Sequence, residues 1–264
     1  MTRHPYLDGP YPRAYAHRGW HVGDLAGCEN TLAGFVRAVE EGFGYLELDV
    51  HASADGVAMV HHDVTLDRTT DGTGPIAALP AAALSELRVA GHHAIPTLAE
   101  VLTTLPRTRI TIELKTHAAV DPVLALVDGL DAWHRVCVAS GDESQVRAAR
   151  RRGGPRLFTS MGGRSVTALR TRAWADGLPR PFGALPTPRF RGRVAQVPRR
   201  FGPITVVDAG LLRTARARGV EVHVWTVDDP AEMRELLDLG VDGLMSDRPD
   251  LLRDLLAAGD RWGG

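Results

Sequence analysis

Short apolar runs alternate with longer amphipathic stretches along most of the chain, which is typical of strands that alternate with helices. The predicted strands are Arg13–His17, Tyr45–Val50, Arg109–Leu114, Arg135–Ala139, Arg156–Thr159, Ala195–Val197, Glu221–Val227 and Asp242–Met245. The predicted helices include Thr31–Glu41, Thr97–Leu105, Val120–Leu130, Glu143–Arg152, Val207–Arg218 and Pro230–Leu239. Asn30 or Thr31 is expected to cap the first of these helices. Eight such units in 264 residues favour an α/β fold, a TIM-type (β/α)8 barrel, over an open sheet.

The segment of residues 45–63 breaks this alternation, because it holds two strand-like runs with only a few residues between them. A parallel crossover needs about a dozen residues or more, so the two runs are predicted to form an antiparallel hairpin. The pair Asp55-Gly56 is favoured in tight hairpin turns. A two-residue loop there would place Asp49 opposite His62, and a bulge would shift this pairing by one residue.

Two further segments interrupt the regular pattern. Residues 64–96 are rich in turn formers and are predicted to be a loop-rich insertion after the hairpin. We expect residues 1–264 to form one barrel domain that carries this insertion. Residues 178–193 are rich in proline and arginine and are expected to be irregular, either a mobile loop over one barrel rim or plain surface.

The charge balance narrows the classes of function. With 31 Lys and Arg against 32 Asp and Glu, the net charge is −1, so no global basic field favours nucleic acid or an anionic membrane. No apolar run approaches the roughly 20 residues of a membrane span, which argues against stable membrane association. Residues 1–13 lack the apolar core of a signal peptide, and two cysteines are too few for a disulfide scaffold. A cytoplasmic location is therefore expected, while the oligomeric state stays open.

Three carboxylates form a candidate metal site. Glu47 and Asp49 are two residues apart in a predicted strand and therefore share one of its faces, and Glu113 is placed similarly on the next barrel strand. Adjacent anions repel, and a cation would relieve that repulsion. An all-oxygen set of ligands suits Mg²⁺, Ca²⁺ or Mn²⁺. Salt bridges to arginine are the alternative explanation of the same spacing.

The chain contains a single lysine, Lys115, among 31 basic residues. Lys115 lies two residues after Glu113, so both side chains are predicted to share one face of the strand. A compact ammonium group there could neutralise a carboxylate or hold a phosphate oxygen. Its retention in a chain that otherwise uses arginine favours a specific role over a solvated surface position.

Two histidines and an arginine are predicted at the mouth of the barrel. His17 ends the first strand and is followed by Arg18, whose guanidinium could hold a phosphate. His62 ends the second arm of the hairpin. Histidines in such positions could share general acid and base duty near neutral pH. The chain has 11 histidines, so a structural role is the default expectation for His61, His92, His93, His117, His134 and His223, while the roles of His21 and His51 stay open.

Taken together, these stretches resemble the glycerophosphodiester phosphodiesterase family. The resemblance extends nearly from end to end and is specific as a whole rather than in any one fragment. It is carried by "AHRG" (16–19), "ENTLAGF" (29–35), "LELDV" (46–50), "DGVAMVHHDVTLDRTTDGTG" (55–74), "IPTLAEVL" (95–102), "IELK" (112–115) and "VHVWTVDDPAEMRELLDLGVDGLMSDRP" (222–249). Cys28 and Ser246 stand where the family usually has proline and threonine.

The resemblance implies a TIM-type barrel that hydrolyses small-molecule glycerophosphodiesters to glycerol 3-phosphate and an alcohol. It also implies one divalent cation as cofactor. By position it assigns a role to eight residues, namely the metal carboxylates Glu47, Asp49 and Glu113, the catalytic pair His17 and His62, the phosphate-holding Arg18 and Lys115, and Trp225 near the substrate. Which histidine is the acid, and whether water or a glycerol hydroxyl attacks the phosphorus, stays open.

Three other functions are weighed against this one. The nearest is a lipid-directed phosphodiesterase of the phospholipase D or sphingomyelinase D kind on the same scaffold, although the sequence shows no apolar interfacial segment. Another is a non-catalytic barrel that binds a phosphate ester or a metal, which the full set of candidate site residues argues against. A nucleic-acid phosphodiesterase would need a basic stripe with aromatics that is not evident here.

Overall fold

The computed structural model describes residues 4–177 and 192–262. Its strands are β1 Arg13–His17, β2 Tyr45–Ala52, β3 Ala58–Val60, β4 Arg88–Val89, β5 His93–Ala94, β6 Arg109–Leu114, β7 Val136–Ala139, β8 Phe158–Thr159, β9 Val194–Pro198, β10 Arg200–Phe201, β11 Ile204–Thr205, β12 Glu221–Trp225 and β13 Gly243–Ser246. Its α-helices are α1 Leu32–Glu40, α2 Ala81–Ser85, α3 Leu98–Thr104, α4 Val120–Gly129, α5 Glu143–Gly153, α6 Gly163–Asp176, α7 Ala209–Arg216, α8 Pro230–Leu239 and α9 Pro249–Ala258. Of the predicted irregular loop 178–193, residues 178–191 lie outside the described part.

Eight parallel strands form the barrel, in the spatial order β8-β7-β6-β2-β1-β13-β12-β9. A parallel bridge between Ser160 and Val194 joins the two ends of this sheet, so the ring is nearly closed. All eight predicted strands are present, and the prediction of a (β/α)8 barrel is confirmed. Helices α6 and α9 were not predicted. Helix α6 has only a weak apolar face, with Leu169, Arg170 and Ala173 as its buried residues.

The interior of the barrel and the layer outside it hold separate hydrophobic clusters. The outer cluster packs between the strands and the helices. The inner cluster fills the base of the barrel and consists of Tyr6, Leu7, Tyr15, Tyr45, Cys137, Phe158, Val194 and Met245. Alternate residues of a strand face the same side, so an inward residue at the base is followed two positions later by an inward residue higher up. His17 therefore faces inward above Tyr15, and Glu47 faces inward above Tyr45.

Tyr6 closes the base of the barrel from the N-terminal side. It belongs to a short 3₁₀ turn, Pro5–Asp8, and its side chain is fully buried. Its hydroxyl lies 2.7 Å from Oγ1 of Thr111 and 3.2 Å from the hydroxyl of Tyr15. Its backbone carbonyl accepts a hydrogen bond from the hydroxyl of Tyr45. The N-terminal segment is thus part of the core rather than a tail.

The hairpin after β2 is present, but the predicted pairing of Asp49 with His62 is wrong by one residue. In the structure, the carbonyl of Asp49 accepts a hydrogen bond from the amide of His61. The loop contains three residues rather than two, because the amide of Ser53 bonds the carbonyl of Val57, and Gly56 takes a positive φ of 79°. A three-residue loop that ends in a left-handed glycine explains this one-residue shift.

The insertion has a small core of its own. The described segment contains helix α2 and the short antiparallel pair of β4 and β5. Its buried cluster consists of Met59, Leu66, Ile76, Leu84, Val89 and Ile95. The insertion is therefore better ordered than the predicted run of turns, since apolar residues spaced among the turn formers pack together against the hairpin.

Replacing Tyr6 with alanine should lower the free energy of unfolding by about 3–5 kcal/mol, because it empties a fully buried aromatic site and removes one of the two hydrogen-bond partners of the Tyr15 hydroxyl. Denaturant unfolding measures this loss. Phe201→Ala removes an aromatic ring that is 73% exposed and should change the stability by less than about 0.5 kcal/mol. A similarly small effect for Tyr6→Ala would show that the barrel does not depend on its N-terminal turn.

Candidate active site

A cavity of about 470 Å³ opens at the carboxyl-terminal ends of the barrel strands, where enzymes of this fold keep their active sites. Seven of the predicted site residues line it, namely His17, Arg18, Glu47, His62, Glu113, Lys115 and Trp225. The eighth, Asp49, is buried and contacts Lys115. The structure thus brings all eight residues together, although they come from five different strands and the segments that follow them.

The three carboxylates form a compact cluster in which ligand oxygens lie within 4.8 Å of one another. Asp49 pairs with Glu113 across the adjacent strands β2 and β6, so the two carboxylates face the cavity side by side. Glu47 and Asp49 are buried. Burial and the charge of Asp49 raise the pKa of the Glu47 carboxyl well above its usual range. Oε2 of Glu47 is buried without a hydrogen-bond partner among the described residues, so this group of carboxylates could hold a cation.

Lys115 bridges two of these carboxylates. Its Nζ lies 2.9 Å from Oδ1 of Asp49 and 3.3 Å from Oε2 of Glu113. Burial disfavours the charged amine, but the charges of Asp49 and Glu113 outweigh burial and raise the pKa of Lys115. The single lysine of the chain is therefore held as an ammonium at the wall of the cavity.

Arg18 adds a second cation from the other side of the cluster. It follows β1 with a left-handed φ of 57°, and its amide donates to the carbonyl of Glu47. Its Nε lies 3.5 Å from Oδ2 of Asp49, and its Nη1 donates to Glu29 at 3.0 Å. The backbone turn therefore directs the guanidinium across the face of the carboxylate cluster.

Asn30 braces Asp49 and was not predicted as a site residue. Its Nδ2 donates to Oδ2 of Asp49 at 2.8 Å, and its Oδ1 accepts from the amide of Asp49 at 3.3 Å. The predicted choice of Asn30 or Thr31 as N-cap is settled for Thr31, whose side chain accepts from the amide of Gly34. The stretch "ENT" could have indicated this role. Once Thr31 caps the helix, the side chain of Asn30 can bond a group outside it.

Asp247 orients His17 and was also missed. Nδ1 of His17 lies 2.6 Å from Oδ1 of Asp247, while Nε2 lies 3.6 Å from Oε2 of Glu47. Burial lowers the pKa of His17, but Glu47 and Asp247 together outweigh it and raise the pKa. Nε2 of His21 approaches the same Asp247 oxygen at 3.3 Å. Asp247 follows β13, which neighbours β1, and this adjacency is not visible in the sequence.

His62 has a similar carboxylate partner. Its Nδ1 lies 2.6 Å from Oδ1 of Asp63, and Asp63 accepts from Nε of Arg68 at 2.6 Å. Hydrogen bonds from Arg68 hold the pKa of Asp63 well below its usual range. Arg68 also pairs with Glu29. Burial alone would raise the pKa of the Glu29 carboxyl, but Arg68 and Arg18 lower this pKa to about 2. This chain of ion pairs links the insertion to the residues that follow β1.

The outer rim of the cavity is apolar. Trp225 at the end of β12 is 42% exposed and lines the cavity, as Phe201 does. Phe201 pairs with the exposed Ile204 in the small hairpin of β10 and β11. Within the described ranges, no helix combines the length and the apolar character that crossing a membrane requires.

Comparison with known proteins agrees with this geometry. The model of the glycerophosphoryl diester phosphodiesterase family matches residues 17–251. A Mycobacterium tuberculosis protein named "Probable glycerophosphodiester phosphodiesterase 2" is 34% identical over 95% of this chain and 93% of its own length. A human lysophospholipase D is 27% identical over 91% of this chain and 85% of its own length.

Solved structures show the same fold. A glycerophosphodiester phosphodiesterase from Agrobacterium tumefaciens has a TM-score of 0.73 and 28% identity, over 93% of this chain and 99% of that one. The enzyme from Thermotoga maritima has a TM-score of 0.70 and 25% identity, over 92% of this chain and 97% of that one. With the family model covering most of its length, this chain belongs to the glycerophosphoryl diester phosphodiesterase family.

Proposed function

We propose that this chain, working as a single barrel domain, hydrolyses glycerophosphodiesters to glycerol 3-phosphate and an alcohol. The observation that carries the proposal is one cavity that holds an under-compensated carboxylate cluster, two fixed cations and two histidines, each hydrogen-bonded to a carboxylate. This arrangement supplies the parts that phosphodiester hydrolysis needs, which are charge neutralisation and a pair of proton carriers.

Glu47, Asp49 and Glu113 are the residues that would hold a divalent cation. Their oxygen donors suit Mg²⁺, Ca²⁺ or Mn²⁺, and the orphaned buried oxygen of Glu47 supports the fit. When bound, such a cation would act as a Lewis acid on a phosphodiester oxygen. Asn30 and Lys115 keep Asp49 in place whether or not the site is filled, because both contact its carboxylate directly.

The charge of the site favours an anionic substrate. With Glu47, Asp49 and Glu113 all ionised, as cation binding would require, three carboxylates face the two cations Arg18 and Lys115, a balance of one negative charge before the metal is counted. A divalent cation would change that balance to one positive charge, and a phosphodiester carries one negative charge. Arg18 and Lys115 would then stabilise the additional negative charge that develops on the phosphoryl oxygens during attack.

His17 and His62 are placed to move protons. Each presents Nδ1 to a carboxylate, Asp247 or Asp63, so that Nε2 is the nitrogen left to face the cavity. One histidine would remove the proton from the attacking hydroxyl, and the other would protonate the departing alcohol oxygen. The carboxylate partners would fix each ring and stabilise its charged form.

Lysophospholipids are a second candidate class of substrate. The exposed rings of Phe201 and Trp225 at the rim could accept an acyl chain, a feature that the sequence alone did not show. The 27% identical human relative is named a lysophospholipase D. The same phosphodiester chemistry would serve glycerophosphodiesters and lysophospholipids. The preference between these two substrate classes would therefore depend on the rim rather than on the carboxylate cluster.

Release of glycerol 3-phosphate from glycerophosphocholine, glycerophosphoethanolamine and glycerophosphoglycerol should require a divalent cation. EDTA should abolish it, and Mg²⁺, Ca²⁺ or Mn²⁺ should restore it, because Glu47 and its neighbours need a counter-charge. Glu47→Gln should remove the activity, whereas Glu86→Gln on the exposed surface of the insertion should not. Full release in the presence of EDTA would contradict metal dependence, and no release from any of the three would contradict the proposed substrates.

His17→Ala and His62→Ala should each lower kcat by about 10²–10⁴-fold, the usual effect of losing a general acid or base. Metal binding, measured by calorimetry, should be largely retained because neither ring belongs to the carboxylate cluster. His92→Ala, at an exposed position of the insertion, is the matched control. A variant that keeps normal turnover would remove that histidine from the mechanism.

Phe201→Ser should lower kcat/KM for lysophosphatidylcholine about tenfold more than for glycerophosphocholine if an acyl chain packs on the rim. Leu239→Ser alters an exposed apolar residue at the opposite end of the barrel and should affect neither substrate. Equal effects of Phe201→Ser on the two substrates, or no turnover of the lysolipid, would leave glycerophosphodiesters as the substrate class. Co-sedimentation with liposomes would show separately whether the protein binds lipid surfaces.

A further inference from the structure

A continuous chain of hydrogen bonds runs through the barrel from the floor of the cavity to its base. It passes, in order, through Gln196, Thr111, Tyr6, Tyr15, His223 and Glu221. The successive distances between donor and acceptor atoms are 3.0, 2.7, 3.2, 3.0 and 3.1 Å. Gln196 and Thr111 line the cavity, whereas the tyrosines and His223 are fully buried.

The lower end of this chain has a fixed polarity. Glu221 is ion-paired with Arg13 through hydrogen bonds of 3.2 and 3.3 Å, so its carboxylate can only accept. His223 must therefore donate from Nε2 to Glu221. The tautomer of the neutral imidazole that carries its proton on Nε2 has a free lone pair on Nδ1. Nδ1 of His223 is then an acceptor.

Each hydroxyl group has one proton, so a group that donates to the partner below it must accept from the partner above it. Tyr15 donates to Nδ1 of His223 and must accept from Tyr6. Tyr6 in turn accepts from Thr111. Thr111 has then used its proton and must accept at Oγ1, and the donor that reaches it is Nε2 of Gln196 at 3.0 Å.

The amide of Gln196 is oriented by this sequence of bonds. Its Nε2 is turned toward Thr111, so its Oε1 is left as an acceptor with no partner among the described protein groups. Gln196 lines the same cavity as His17 and Glu113. Thr111 is the partner of Glu47 in the parallel register, so the amide lies close to the carboxylate cluster.

We propose that Oε1 of Gln196 accepts a hydrogen bond from a hydroxyl group of the substrate's glycerol moiety, which makes Gln196 a specificity-determining residue. This inference rests on the proposed function and adds a reason for its choice of substrate. An acceptor oxygen repels phosphoryl oxygens and attracts hydroxyl protons, so Gln196 favours the polyol part of the substrate over its phosphate. Thr111, Tyr6 and Tyr15 are positioning residues for this selectivity, since they influence the substrate only through the amide of Gln196.

The selectivity of turnover tests the proposal. With Mg²⁺ present, kcat/KM is measured for glycerophosphocholine and for bis(para-nitrophenyl) phosphate, a diester without hydroxyl groups. Gln196→Met should lower the ratio of the two constants by about 10- to 100-fold, the effect of one lost hydrogen bond to a partly buried polar group. An equal fall for both diesters, or an unchanged ratio, would overturn the proposal.

Thr111 provides the conservative comparison. Thr111→Val removes the hydroxyl that fixes the amide of Gln196 while nearly keeping the side-chain volume. The ratio of the two kcat/KM values should fall roughly several-fold, because the amide could then turn either way. Thr111→Ser keeps the hydroxyl and should preserve the ratio. If valine and serine behaved alike, the polarity of the chain would not set the amide, and the argument would fail.

Binding of the product separates this inference from the proposed function. Calorimetry with glycerol 3-phosphate and with inorganic phosphate gives two Kd values for each variant. Gln196→Met should raise the Kd for glycerol 3-phosphate by about 10-fold or more relative to that for phosphate. This result would support the role of Gln196 even if no glycerophosphodiester were turned over, in which case only the proposed function would fall. Equal changes in both Kd values, or no binding of glycerol 3-phosphate to the unsubstituted protein, would overturn the inference.

Discussion

The site depends on the burial of negative charge at one end of a closed sheet. Glu47 and Asp49 project from the same face of one strand and Glu113 from the next, so their repulsion is built into the backbone. Lys115 meets this constraint because a single compact ammonium reaches two of the carboxylates at once. A guanidinium is longer and planar and would require a different spacing. The only lysine of the chain is explained by this geometry.

The alternation of apolar runs predicted every barrel strand. A strand of a parallel sheet is buried on both faces, so its own residues form an apolar run that is visible without knowledge of its neighbours. The i, i+2 spacing also placed the carboxylates correctly on one face, and the ends of the predicted strands placed the two histidines at the mouth of the barrel. Helix α6 was not predicted, because its apolar face is weak. The pairing of the hairpin was wrong by one residue because Gly56 adopts a left-handed conformation in a three-residue loop, a choice that the Asp-Gly pair alone does not determine.

The partners of the site residues were harder to predict than the residues themselves. Asp247 reaches His17 across 230 positions of the chain, and the hydroxyl of Tyr6 reaches Thr111 across 105. Such contacts depend on which strands become neighbours when the ring closes. The periodicity within one segment does not show which strands these are. Hence the sequence identified the groups that carry charge, while the structure was needed to show what orients them.

The pairing of β1 with β13 has a consequence for how the protein is made. Arg13 leaves the ribosome more than two hundred residues before its partner Gly243 is synthesised. At about 5–20 residues per second, one edge of the first strand waits roughly 10–50 s for its neighbour. The turn that carries Tyr6 waits with it, because the cluster that Tyr6 belongs to is completed only by Met245 on β13. The floor of the cavity is therefore completed only after β13 has been synthesised, and until then the nascent chain must keep an unpaired strand edge from other partners.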